Sequence, residues 1–288
     1  MDIIIIGFLL GGSYALMSMG MQLQYGVARI MNLANGEFLV AGSFGAFWFF
    51  TGAKLSPFFS LIVVVPVAFA VNWGIYRYQM LPLVRRAKSQ GHLEVDSILA
   101  TFGLSFILVG LMLAVFGGDY FSYSYLARAY QILGQPYGLN RIAAFLASAV
   151  LAVILYFWLM RTRAGLTLRA VAVSRQAAAL VSINTVRASA IAFALGGAVT
   201  AAGGGLLSMF LTFDASTGVI FTLKALIIVI MGGVSDIRGT IIAAFILGLT
   251  ETAVATLIDP GLTLAAAYLL FILVLLLRPQ GLFGRQAT

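Results

Sequence analysis

Three ionisable residues stand inside long apolar runs of the sequence: Glu37, Lys224 and Glu251. A charged side chain in hydrocarbon costs about 2.5–3.5 kcal/mol on insertion scales, so each needs a partner, water or a solute. Lys224 lies twelve residues before Asp236 and Glu251 fifteen after it, on either side of a turn at Ser235–Ile237. In a helical hairpin the two depths then differ by three residues, about 4.5 Å, which a lysine stem covers. The spacing predicts a Lys224–Glu251 pair that ties two helices together, in preference to a proton relay. Glu37 follows Asn32 and Asn35 at the start of another apolar run, where this polar cluster predicts an irregular beginning. Three ionisable groups in two regions are a thin basis for an ion-coupled carrier.

Catalytic chemistry fails on inventory. The chain has no cysteine, which excludes disulfides, thiolate metal sites and a thiol nucleophile. No GxxxxGK[ST] stretch occurs, so the chain has no phosphate-binding loop of its own. Its one histidine, His92, stands in a basic loop beside Glu94 and Asp96. That setting predicts a solvated loop rather than a metal site, and it leaves no Ser/His/Asp set to assemble. No catalytic residue, metal site or resident cofactor is assigned.

The elements that hold these residues are membrane helices. Of 288 residues 62% are hydrophobic and 9% charged, too few charges to cover a soluble domain. The apolar runs are continuous, unlike the alternating strands of an outer-membrane barrel. They predict an all-α polytopic bundle of eight or nine spans, near residues 3–21, 31–50, 58–78, 97–116, 142–160, 188–211, 218–231, 239–257 and 262–277. The seventh is short for a full crossing. No polar stretch is long enough for a second domain, so residues 1–288 form one membrane domain, with a first helix that is retained rather than cleaved. With nine spans, thirteen of the 17 Lys and Arg fall on one side and three on the other, Lys224 being embedded. The bias places the N-terminus outside and the C-terminus inside. The net charge of +8 therefore reflects topology, anionic lipid and a cytoplasmic partner rather than nucleic acid. The tyrosine-rich outer loop between spans four and five fits an interfacial aromatic belt, with a docking surface as the sharper alternative.

Residues 161–189 are too long for a turn and too polar to span. Leu166, Leu168, Val171 and Ala178–Leu180 alternate with Arg169, Ser174 and Arg175, which predicts a short amphipathic helix at the membrane surface. Such a helix either rests on lipid or docks on a motor subunit. Glycine, 31 residues, clusters at Gly11–Gly12, Gly196–Gly197, Gly203–Gly205 and Gly232–Gly233, as close helix packing in lipid requires.

Four stretches together resemble the permease subunits of bacterial branched-chain amino-acid ABC importers of the LivH type. They are residues 11–47 with Tyr25-Gly26 and the run Asn32 to Glu37; Gly165, Arg169-Ala170, Ala179 and Ile183-Asn184; Lys224-Ala225, Gly232-Gly233, Gly239 and Glu251; and the ending Arg278 to Arg285. Three positions depart from the pattern: Asn35 replaces a histidine, Val173-Ser174 an acidic pair, and Ser182 a glycine. The resemblance implies a type II ABC importer-like bundle in the bacterial inner membrane, forming half of a translocation pathway for branched-chain amino acids or a related small polar solute. It implies a second homologous permease, two cytoplasmic P-loop ATPases that bind ATP and Mg, and a periplasmic solute-binding protein as partners. It places Asn32, Asn35, Glu37, Lys224 and Glu251 on the pathway. Gly165, Arg169, Ala170, Ala179 and Ile183 become the ATPase contact within a coupling segment at about 161–189. The competing reading is a secondary transporter or channel that works without ATP.

Overall fold

The computed structural model describes residues 2–87, 89–132, 135–234 and 236–284. Lys88, Ser235 and Arg285, used above for the charge bias, the hairpin and the C-terminal pattern, lie outside the described residues. All nine apolar segments are helical. In chain order they form α1 (Asp2–Ala28), α2 (Asn35–Thr51), α3 (Pro57–Ile75), α5 (Gln90–Phe116), α6 (Leu139–Arg161), α9 (Thr185–Leu207), α10 (Gly218–Gly232), α11 (Ile237–Leu257) and α12 (Thr263–Leu277). Helix α3 runs on through a π turn, Tyr76–Met80, into α4 (Leu81–Arg86). Seven of these helical stretches are long and apolar enough to cross a membrane. The short ones are α2, at 17 residues, and α10, at 15; α12 reaches 18 with the 3-10 turn Pro260–Leu262 that leads into it. Residues 161–189 form two short helices rather than one, α7 (Arg163–Val173) and α8 (Arg175–Leu180), hinged at Ser174, whose hydroxyl caps α8 by accepting from Ala177 N–H at 3.2 Å. The loop after α5 holds one element the sequence did not announce, a hairpin of β1 (Ala129–Ile132) and β2 (Gln135–Gly138).

Small residues decide which helices sit at the centre. Over its most apolar 18 residues α9 is 83% buried and α1 61%, against 17% for α3 and α5 and 6% for the stretch ending in α12. Helix α9 is a run of Ala and Gly broken by few large side chains, so α1, α2 and α3 all close on its backbone. Lipid gives no hydrophobic drive for this, and association rests on van der Waals contact at short range. At Gly204 the approach is closest: an added Cβ would collide with the Leu39 backbone of α2. On its other side α1 packs along α11, where Gly7 and Gly11 meet Gly248 and its neighbours.

Aromatic rings close the end opposite α7 and α8. Phe44 stacks on Phe116 with centroids 4.0 Å apart and meets Phe121 and Phe213 edge-on at 5.2 and 5.1 Å. Paired backbone hydrogen bonds between Phe121 and Phe213, 2.8 and 3.0 Å, pin the loop after α5 to the loop after α9. The tyrosines of the outer loop divide accordingly. Tyr123 and Tyr125 turn inward onto Phe47, Phe50 and Phe58, and Tyr137 donates to Asp2 at 2.7 Å. Tyr120 and Tyr130 stay exposed.

Candidate functional site

The chain leaves α1 at Ala28 but does not begin α2 until Asn35, and by then it has climbed back along the bundle. The Thr200 hydroxyl of α9 lies 3.1 Å from Asn35 Oδ1 and 3.5 Å from the carbonyl of Met17, near the midpoint of α1. Helix α2 therefore starts about midway along the bundle. Non-helical backbone at such depth survives only where the protein itself satisfies it. Leu33 N–H donates to Thr101 Oγ1 at 3.0 Å, Ala34 N–H to Asn32 Oδ1 at 3.0 Å and Gly36 N–H to Thr222 Oγ1 at 2.7 Å. The Thr222 hydroxyl in turn donates to the Leu33 carbonyl at 3.2 Å. Asn32 is thus a structural residue: its amide nitrogen donates to Gln24 Oε1 at 3.0 Å and its oxygen caps the turn.

Asn35 and Glu37 are different. Both are fully buried, yet Asn35 Nδ2 and both carboxyl oxygens of Glu37 have no hydrogen-bond partner among the described residues. The first turn of α10 packs directly on them, and an added Cβ at Gly218 would collide with the Glu37 carboxyl group. An added Cβ at Gly36 would likewise strike the Gly218 carbonyl. Two helix starts thus meet where glycine alone fits, around polar atoms with nothing to bind. A buried unsatisfied group in a native fold calls for an explanation, and an ordered water, an ion or a polar ligand would each supply one.

The predicted pair is present. Lys224 Nζ lies 2.8 Å from Glu251 Oε2 and is largely buried. The sequence did not reveal the third member: Tyr14 of α1 accepts from Lys224 Nζ at 2.8 Å and donates to Glu251 Oε2 at 2.8 Å. Lys224 also sits 5.1 Å from the Tyr14 ring centroid. The triad bolts α1, α10 and α11 together. Glu251 Oε1 is buried without a hydrogen-bond partner among the described residues, and the residue borders a cleft of about 300 Å³ that Leu10, Arg141 and Thr252 also line. Glu37 belongs to a separate group, so the five pathway residues of the sequence form two clusters joined by α10.

At the other end, α7 and α8 fold back on the bundle through arginines. Arg29 donates to the Ala172 carbonyl at 3.2 Å, and Arg175 donates to the Ala28 carbonyl at 2.7 Å and to Ser189 Oγ at 2.9 Å. Burial, with Arg29 nearby, draws the Arg175 guanidinium below its usual value. Arg169 donates to the Met160 carbonyl at 3.3 Å. Of the five residues expected to face a motor, Gly165 is buried against Leu159, Arg169 and Ala170 are half-buried, and Ile183 packs into the core beside Ala188. Ala179 alone is exposed; Leu180 and Val181, which follow it, are 87% and 69% exposed, as is Val173 at the end of α7, at 86%. Ser182 takes a left-handed backbone, φ 62°, and Ile183 N–H closes back on the Ala178 carbonyl at 3.1 Å. A glycine suits that position without strain.

A family model described as branched-chain amino acid transport system / permease component matches residues 3–277. The chain is 27% identical to the high-affinity branched-chain amino acid transport system permease protein LivH of Salmonella typhimurium, covering 97% of this chain and 94% of that protein. It is 25% identical to the permease protein BraD of Pseudomonas aeruginosa, with the same coverage. It is also 25% identical to a probable LivH of Methanocaldococcus jannaschii, over 93% of this chain and 88% of that one. A solved chain titled PsaBC from Streptococcus pneumoniae in complex with Fab superposes with a TM-score of 0.49 at 10% identity, over 98% of this chain and 94% of that one.

Proposed function

Because the chain belongs to the family of branched-chain amino acid transport system permease components, we propose that it is the membrane subunit of a binding-protein-dependent ABC importer. It forms half of a pathway for branched-chain amino acids or a related small polar solute. The observation that carries the reading is the family match across nearly the whole length, residues 3–277. The polar atoms of Asn35 and Glu37, buried and without partners at the broken start of α2, mark where a polar solute would be met. Glu251, whose second oxygen is buried without a partner among the described residues beside a neighbouring cleft, belongs to the same route, and Lys224 holds it in place. Nine crossings follow if α2 and α10 count as spans whose missing turns are supplied by buried irregular backbone. The N-terminus is then outside and the C-terminus inside a bacterial inner membrane, on the arginine bias.

ATP hydrolysis belongs to two separate P-loop subunits that carry ATP and Mg. A second permease and a periplasmic solute-binding protein complete the assembly. The motor's contact is the exposed apolar edge of Val173, Ala179, Leu180 and Val181. Arg29 and Arg175 would pass its movement to the corner between α1 and α2, and so to Asn35 and Glu37. Ala179→Glu tests this assignment, because it places a charge on an exposed position without disturbing the core. Uptake should fall with ATP hydrolysis uncoupled from it, and thermal unfolding of the chain should be unchanged. Unchanged uptake together with unchanged motor binding would remove α8 from the interface.

A further inference from the structure

The end of the molecule that carries α7 and α8 also holds a cleft of about 430 Å³ between the α3–α4 helix and the first turns of α9. Trp73, Arg77, Leu81 and Arg85 line one side at four-residue spacing, and Val186, Arg187 and Ala190 line the other. Arg77, Arg85 and Arg187 are exposed, and none of their guanidinium groups has a hydrogen-bond or ion-pair partner among the described residues. No Asp or Glu lines the cleft. Arg29, Arg169 and Arg175, at the same end, are instead committed to backbone carbonyls. Three like charges lining one cleft, with no Asp or Glu among its lining residues, suit an anion from outside, and planar guanidinium groups suit phosphate oxygens.

The walls say which kind of anion. Trp73, Leu81, Val186 and Ala190 are apolar, and Phe69 stacks above Trp73 with ring centroids 6.1 Å apart, extending the apolar surface toward the bundle's middle. A free phosphate ion gains nothing from such walls. A phosphate that carries a glycerol ester and acyl chains does, and indole rings favour the depth at which headgroup and chain meet. We infer that this cleft binds the phosphate headgroup of an anionic phospholipid, with Arg77, Arg85 and Arg187 on the phosphate and the acyl chains running past Trp73 and Phe69. Arg187 and Asn184 also border the cleft under α7 that Leu168 and Ile183 line, so the bound lipid adjoins the segment assigned to the motor.

The test is native mass spectrometry of the delipidated full chain, titrated with phosphatidylglycerol or phosphatidylcholine. The wild type is compared with an Arg77→Gln/Arg85→Gln/Arg187→Gln triple variant and with a charge-matched control, Arg161→Gln/Arg163→Gln/Arg278→Gln. Phosphatidylglycerol should bind in preference to phosphatidylcholine. A basic residue near anionic lipid contributes roughly fivefold in affinity, so the cleft variant should lose on the order of 100-fold while the control stays within a few-fold of wild type. Because the three cleft arginines have no hydrogen-bond or ion-pair partner among the described residues, their variant should unfold at the wild-type temperature, and a drop there would contradict their being free for a ligand. Equal losses in the two triple variants would reduce the effect to general charge and overturn the site. Displacement of the lipid by inorganic phosphate alone would make it a free-anion site. Unchanged lipid binding with lost retention of an ATPase subunit would make the cleft a protein contact.

Discussion

At the level of single residues, the Lys224–Glu251 pair was legible because two charges in apolar runs at matched depth have no cheaper arrangement than to find each other. Tyr14 was not, since a tyrosine in a span of small residues carries no spacing signal toward residues more than two hundred positions away. The pair's worth lies in what its loss leaves behind. Removing one partner strands the other in the protein interior, at a cost of about 3–5 kcal/mol. Lys224→Ala and Glu251→Ala should therefore each destabilise strongly, and the double variant should cost clearly less than their sum. A double-mutant cycle read by thermal unfolding in detergent checks this, and additive losses would show that the two groups act independently.

At the level of elements, the nine apolar segments were readable because a run of that length has few other folds in a membrane, and most of their ends fell within a few residues of the helices; the third span, read to 78, runs on to Arg86, and the fourth, read from 97, begins at Gln90. The exception at α1 is instructive: the apolar reading stops near Met21, but the helix continues to Ala28 because Gln22 and Gln24 find buried acceptors in the Val234 and Phe193 carbonyls. The polar stretch 161–189 read as one amphipathic helix and is two, because Ser174 ends α7 and caps α8. The hairpin after α5 left no trace, since its four-residue strands pair only with each other. At the end of α8 the fold accepts a strained residue. Left-handed backbone costs a non-glycine residue roughly 1–2 kcal/mol, and glycine's greater unfolded-state freedom returns about 0.4–1 of that. Ser182→Gly should stabilise the chain by up to about 1 kcal/mol, seen as a higher midpoint in thermal unfolding. A lower midpoint would mean that the Ser182 side chain contributes more than its backbone costs.

At the level of the whole molecule, the two ends are built differently. The arginine-rich end keeps an exposed apolar edge and a basic cleft, whereas the opposite end is closed by stacked rings under the loop that carries Tyr123. Burial pushes the Tyr123 hydroxyl up to about 12, against a hydrogen bond with Ser208 that works the other way. A folded-state value above the unfolded value of 10.0 means that this contribution to stability is complete below pH 10 and is lost as pH rises toward 12. Tyrosinate absorbance should accordingly show one ionisation near pH 12 that is missing in Tyr123→Phe. A difference step near pH 10 would show the ring to be solvated and the closure loose. The partner subunits were implied by resemblance to a family rather than by any spacing.

The most direct measurement is to purify this chain from its native membrane in mild detergent and identify what comes with it by mass spectrometry. Recovery of two P-loop ATPases, or two copies of one, with a second permease is the expected result, and it would lead to the binding protein whose ligand names the solute. Recovery of the chain alone, active for transport in liposomes without ATP, would contradict the importer reading and establish a transporter that needs no motor.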